Sequence, residues 1–122
     1  MHADNKAIDF GNWTTQVRKG LLELCIVNLL ARGELYGYDL VKQLAGVKGL
    51  VVTEGTIYPL LSRLKKAGLL KTRLEESSSG PARKYYSLTT EGHRDRTRLN
   101  AYWEELSQGI SGLTQEREAN HD

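Results

Sequence analysis

The stretch that decides the fold is TEGTIYPLLSRLKKAGLLKTRLEESSSGPARKYYSL, Thr53 to Leu88. Its first half repeats at helical spacing. Ile57, Leu60, Leu61, Leu64 and Ala67 share one side, and Gly55, Tyr58, Pro59, Ser62, Arg63 and Lys66 share the other. Gly68 supplies the stop. The second half changes period. Leu70, Thr72 and Leu74 alternate with Lys71, Arg73 and Glu75, and in RKYYSL Tyr86 and Leu88 face one way while Arg83, Tyr85 and Ser87 face the other. Between these two strands, Ser77 to Ala82 is a run of small, chain-loosening residues, the tip of a β-hairpin longer than the commonest two-residue turns. Pro59 restricts how the helix begins, because proline lacks an N–H and crowds the carbonyl four residues back. Thr56 as N-cap would place Pro59 among the orphan donors, so a tight or irregular turn at Glu54–Thr56, or a kink, is expected.

Upstream, TQVRKGLLELCIVNLLARG reads as a helix that Thr14 or Thr15 can cap and Gly33 can end. It carries two apolar stripes: Val17, Leu21, Leu24 with Asn28, and Leu22, Cys25, Ile26, Leu29 with Leu30. A helix apolar on two sides is buried on two sides. LYGYDLVKQLAG is a shorter helix with Leu40, Val41 and Leu44 on one face, and VKGLVV is a connector that can pair briefly as a strand. Downstream, Thr89 caps a long last helix in which Leu99, Trp103, Leu106, Ile110 and Leu113 repeat at 4-3-4-3, the seam of a coiled coil. Such a helix is too long and too narrowly apolar to be covered by a small domain, so it calls for a partner, most simply a second copy.

The expected fold is therefore mostly α with a small β-hairpin: a winged helix-turn-helix followed by a long C-terminal dimerisation helix. The parts are a flexible N-terminal segment 1–13, the winged helix-turn-helix 14–88, the dimerisation helix 89–115 and a flexible tail 116–122. A chain of 122 residues fits one domain. The longest apolar run, Leu21–Ala31, is too short for a membrane span and contains Glu23 and Asn28. No secretory signal is visible, and the single Cys25 excludes an intrachain disulfide, so a cytoplasmic protein with no membrane partner is expected.

Charge is unevenly spread. Residues 53–98 hold ten Lys/Arg against five Asp/Glu, whereas 99–122 hold one against five. A basic middle suits a polyanion. In a winged helix-turn-helix the second helix of the turn lies in the major groove and reads base edges. Gly55, Tyr58 and Ser62 would face bases, and Thr56 and Tyr38 of the preceding helix are expected to contact DNA with them. Arg63 and Lys66 would meet phosphates, and Arg83 and Lys84 of the wing would touch the backbone or minor groove. Catalytic readings find no support. His2, His93 and His121 are isolated, no metal-ligand spacing occurs, and Cys25 sits in an apolar helix that disfavours its thiolate. No cofactor is expected, and the chain is not read as an enzyme.

Trp103 on the seam reads first as dimer packing; the sharper alternative is a ligand platform, since in a symmetric dimer two Trp103 rings would face each other across the two-fold axis and large flat rings tend to leave a slot. Asn28 is the lone polar residue on its stripe. If that stripe meets the partner's last helix, apolar walls, an indole and an amide surround one site suited to a flat aromatic effector.

LYGYDLVKQL, TEGTIYPLLSRLKKAGLL, RKYYSLTTEG and the Trp103 helix resemble the PadR-like transcriptional regulators, over about Val17 to Leu113. The single last helix is similar to the short subfamily. The resemblance implies a dimeric winged-helix repressor; some such proteins respond to phenolic acids, and some short ones hold planar, often cationic, drugs between paired tryptophans. It implies ligand contacts at Val17, Leu24, Asn28 and Trp103, while the seam itself predicts a dimer interface of Leu99, Trp103, Leu106, Ile110 and Leu113 with Leu21 of the first helix. Ser107 stands where an acidic residue would balance a cationic drug, which sets this chain apart. The expected function is a homodimeric repressor of transcription relieved by a small aromatic ligand. The alternative is a winged-helix protein–protein interaction module with no DNA target, which would lack steep salt dependence in DNA binding.

Overall fold

The computed structural model describes residues 7–119. In chain order these form α1 (Phe10–Leu30), β1 (Leu35–Tyr36), α2 (Gly37–Ala45), α3 (Glu54–Lys66), β2 (Leu70–Glu75), β3 (Arg83–Leu88) and α4 (Thr90–Ala119). The sheet is antiparallel in the order β1-β3-β2. Three helices and a hairpin with a short third strand make the winged helix-turn-helix, and α4 extends from it.

Helical and strand periodicities bury one side of each element, but α1 is not buried on two sides as expected: Leu21 and Leu24 are half-buried and Val17 is exposed, because among the described residues no element fully covers that stripe, and Leu74 near the wing tip is exposed as well. Leu22, Ile26, Val27 and Leu30 of α1 meet Leu40, Val41 and Leu44 of α2, Ile57, Leu61 and Leu64 of α3, and Leu70, Tyr86 and Leu88 of the hairpin. The hairpin register pairs Leu70 with Leu88, Thr72 with Tyr86 and Leu74 with Lys84, so the core-facing and outward sets alternate as the two-residue period requires.

Several boundaries differ from the sequence reading. Helix α1 begins at Phe10, because the Asp9 carboxylate accepts from the Asn12 N–H at 3.1 Å and caps it. Thr14 and Thr15, expected as caps, lie inside the helix and donate back to the Gly11 carbonyl. Residues 10–13 of the segment expected to be flexible are thus helical, while 1–6 lie outside the described residues. At the other end α4 runs to Ala119, beyond the expected limit at 115, and 120–122 lie outside the described residues. Leu35 and Tyr36 form β1 on the edge of β3, where a helix start was expected. The connector VKGLVV does not form a strand. It turns through Gly49 at φ +87° and Val51 at φ +50°, and drops Leu50 into the core.

Helix α3 starts earlier than Pro59 suggested. Its N-cap is Thr53, not Thr56, and the Thr53 carbonyl accepts from both Thr56 and Ile57 N–H groups at 3.0 Å. The first turn is therefore tight. Pro59 sits within the helix on its exposed side, where the Gly55 carbonyl, deprived of its usual donor, can turn to solvent.

The wing and α4 are locked to the end of α3 at one point. Thr89 caps α4 by accepting from the Gly92 N–H at 3.0 Å; it also donates its hydroxyl to the Gly68 carbonyl at 2.6 Å and its N–H to the Leu69 carbonyl at 3.0 Å. Gly92 is pressed so closely against this turn that a Cβ would stand 2.2 Å from the Leu69 oxygen. Gly92→Ala must therefore push α4 off the wing root. It should destabilise the chain by roughly 1–3 kcal/mol, the range for overpacked sites, read as a lowered urea midpoint.

Candidate nucleic-acid interface and aromatic groove

Helix α3 presents Gly55, Thr56, Tyr58, Pro59, Ser62, Arg63 and Lys66 on its exposed side, as its spacing predicts. Tyr58 is only partly free, at 36% exposure. Its ring packs beside Gly37 at the start of α2, where a side chain would meet the rings of Tyr58 and Tyr86 at 3.2–3.3 Å. Partial burial, and then the Glu54 charge, push the Tyr58 hydroxyl's pKa up, so it stays a neutral donor. Tyr38, on the first turn of α2, is exposed, with the Lys42 ammonium 5.4 Å from its ring centre.

A groove of about 330 Å³ runs between α3 and the wing, lined by Leu61, Ser62, Lys65, Lys66, Thr72, Lys84 and Tyr86. Three lysines thus line one channel. Lys65 was not among the residues expected at the interface; its helical position is nearly that of the buried side, and only the packed hairpin shows that it lines the groove.

Arg83 and Lys84, expected to act together, belong to opposite faces of β3. Lys84 turns toward α3. Arg83 lies on the outer face, its guanidinium 5.0 Å from the Tyr36 ring centre. That face is an aromatic and cationic patch. Tyr36 packs against Tyr85 and Tyr38, Arg73 stacks 4.6 Å from the Tyr85 centre, and Arg73 makes a forked pair with the Glu34 carboxylate. The Arg73 hydrogen bonds hold the Glu34 carboxyl below its usual range. Arg63 does not project freely. It pairs with Glu23 of α1, a contact across forty residues of sequence.

The second candidate site is an apolar groove of about 530 Å³ between α1 and α4. Helix α1 supplies Trp13, Val17, Leu21 and Leu24, and α4 supplies Leu99, Tyr102, Trp103, Leu106 and Ile110. Of the expected ligand residues, Val17, Leu24 and Trp103 come together here. Asn28 does not line this groove. Its amide exchanges two hydrogen bonds with Asn100, at 2.9 and 2.8 Å, and accepts a third from Arg96 Nε at 2.8 Å. Trp13 and Tyr102 were missed as lining residues. Trp13 was assigned to a flexible segment, and Tyr102 falls outside the seam spacing. Leu113 lies further along α4 and does not line the groove.

The stripe on α4 is uncovered, from Leu99 at 38% exposure through Trp103 at 39% to Leu113 at 72%. Among the described residues no helix is long and apolar enough to cross a membrane.

A sequence model described as the Transcriptional regulator PadR-like family matches residues 26–98. The chain belongs to the PadR-like family. It is similar to the crystal structure of a PadR-like transcription factor from Bacteroides fragilis, at 43% identity over 84% of this chain and 98% of that one, with a TM-score of 0.71. It is also similar to a PadR-like transcriptional regulator from Bacillus cereus, at 39% identity over 82% and 97%, TM-score 0.74. A PadR family transcriptional regulator from Eggerthella lenta matches at 36% identity over 85% and 90%, TM-score 0.75. The winged helix of this PadR-like chain is thus the fold its relatives share.

Within that fold the Asn28 knot joins α1 to α4. Asn28→Ala strands the Asn100 amide and one Arg96 donor in a partly buried place, and should cost about 1–3 kcal/mol. Equilibrium urea unfolding checks this; a change within a few tenths would mean that water replaces the knot.

Proposed function

We propose that this PadR-like DNA-binding regulator is a homodimeric repressor, built on α4 and relieved by a flat aromatic ligand held in the α1–α4 groove. The observation that carries the reading is the uncovered stripe Leu99–Leu113 continuous with that groove. An exposed apolar face rimmed by polar residues marks an association surface. A second α4, packed in the same 4-3-4-3 seam, is the partner whose chemistry fits it. Closing the dimer would bring two Trp103 rings and two Trp13 rings to one apolar chamber, suited to a planar ligand. Among the described residues no carboxylate lines the groove, which disfavours a cationic aromatic.

DNA contact is supported by the exposed face of α3 and the lysines beside it. Gly55, Thr56, Tyr58 and Ser62 would meet base edges, together with Tyr38, and Lys65, Lys66 and Lys84 would meet phosphate in the wing-side groove. Arg83, on the outer wing face, would reach the backbone or minor groove from the other side of the hairpin. Relief of repression would be mechanical. A ligand between the two α4 helices changes the spacing of the two reading heads only if it binds one dimer geometry better than the other.

Binding to the DNA upstream of its own gene, followed by fluorescence anisotropy at several salt concentrations, tests the DNA contacts. Replacing Arg83 and Lys84 with Ala should weaken binding to all sequences and flatten the salt slope by about one to two units. An unchanged slope would remove the wing from the interface.

The groove has its own test. Both tryptophans line it, so aromatic compounds should quench the fluorescence of both Trp13→Phe and the parent chain. Trp103→Ala should lose the ligand response and keep DNA binding, and its dimer, measured by sedimentation, should weaken by roughly 3–5 kcal/mol at most. If a broad aromatic panel gives no saturable quenching, the groove is dimer packing alone.

A further inference from the structure

The recognition helix has a groove on each flank. Opposite the lysine-lined channel, a second groove of about 690 Å³ runs between α1 and α3, and its polar lining comes from Lys19, Glu23, Thr56 and Arg63. Helical spacing separates the two flanks cleanly. Ser62, Lys65 and Lys66 border the wing side of the exposed face, Thr56, Pro59 and Arg63 border the α1 side, and Gly55 lies between them. A helix seated in a major groove about 12 Å wide has a phosphodiester strand on each flank. Cations on the wing flank alone would engage only one of the two strands.

The α1 flank carries the complement. Lys19 is exposed, and among the described residues no carboxylate pairs with it. Arg63 gives one terminal nitrogen to Glu23 and its side chain remains 65% exposed, so most of its N–H fork is unused. Two cations against one carboxylate leave the groove net positive. Thr56 adds a hydroxyl at the first turn of α3.

We propose that the α1–α3 groove is a second phosphate-binding site for duplex DNA, with Lys19 of α1 as a direct backbone contact beside Arg63. This rests on the DNA-binding reading above and adds to it an element, α1, outside the helix-turn-helix face and the wing. The recognition helix is then clamped between two strands rather than leaning on one. Gly20, next to Lys19, borders both this groove and the aromatic groove, so the helix that walls the aromatic groove also touches DNA.

The test uses the full chain, the duplex upstream of its own gene and a random duplex of equal length, with anisotropy measured across a salt series. Lys19→Ala should bind both duplexes several-fold more weakly, with a salt slope shallower by about one unit. Lys19→Glu should deepen the loss. Because Lys19 is exposed, thermal unfolding should not change. Arg63→Ala should lower the slope similarly, and Arg98→Ala, a cation on α4 outside both grooves, should not. If Lys66→Ala and Lys84→Ala flatten the slope while Lys19→Ala leaves it intact, the second site is overturned and the DNA reading stands. If the unmodified chain fails to bind either duplex at low salt, both are overturned.

Discussion

The oxygen of Leu69 occupies the place where a side chain at residue 92 would begin, and much of the architecture follows from that contact. Gly68 ends the turn after α3, Leu69 leads into β2, and Thr89 and Gly92 begin α4. Thr89 satisfies three backbone groups there, one of them with its own N–H. Helix α3, the wing root and the last helix therefore meet in one hydrogen-bonded knot centred on the Thr89 hydroxyl. A flexible tether in this position would let α4 swing independently. The knot instead ties the direction of α4 to that of α3.

A second constraint lies at the other end of α4's contact with α1. There Asn28, Asn100 and Arg96 satisfy one another, so the crossing of the two helices has a preferred register rather than a sliding apolar seam. Beyond it lies the aromatic groove between the same two helices. The polar knot and the groove are neighbours with different chemistry, one specifying geometry and the other leaving apolar surface open.

The helices and hairpin were legible in the sequence because their signals are local and periodic. Ile57, Leu61 and Leu64 recur at helical spacing, and Tyr86 and Leu88 alternate with Tyr85 and Ser87. What was not legible depended on short or distant partners. Two residues, Leu35 and Tyr36, carry no measurable period, so β1 read as helix. Asp9 lies outside the apolar pattern, so the cap of α1 was misplaced and Trp13 fell out of the groove with it. Glu23 and Arg63 meet across forty positions, and Asn28 and Asn100 across seventy-two. Asn28 was assigned to a ligand because its polarity among apolar neighbours required an explanation. The explanation is a partner on α4 that only the packing reveals.

The alternation of β3 has a consequence for how the wing can vary. Tyr86 and Leu88 are anchored in the core, and they fix which face every other residue of that strand occupies. Arg83 and Lys84 keep their opposite orientations whatever the length of the segment from Glu76 to Ala82, since insertions there are absorbed by the loop and not by the ladder. The tip thus behaves as a ruler of adjustable length mounted on a base of fixed parity. Lengthening or shortening it alters how far the wing extends without exchanging the cation that faces α3 for the one stacked on Tyr36.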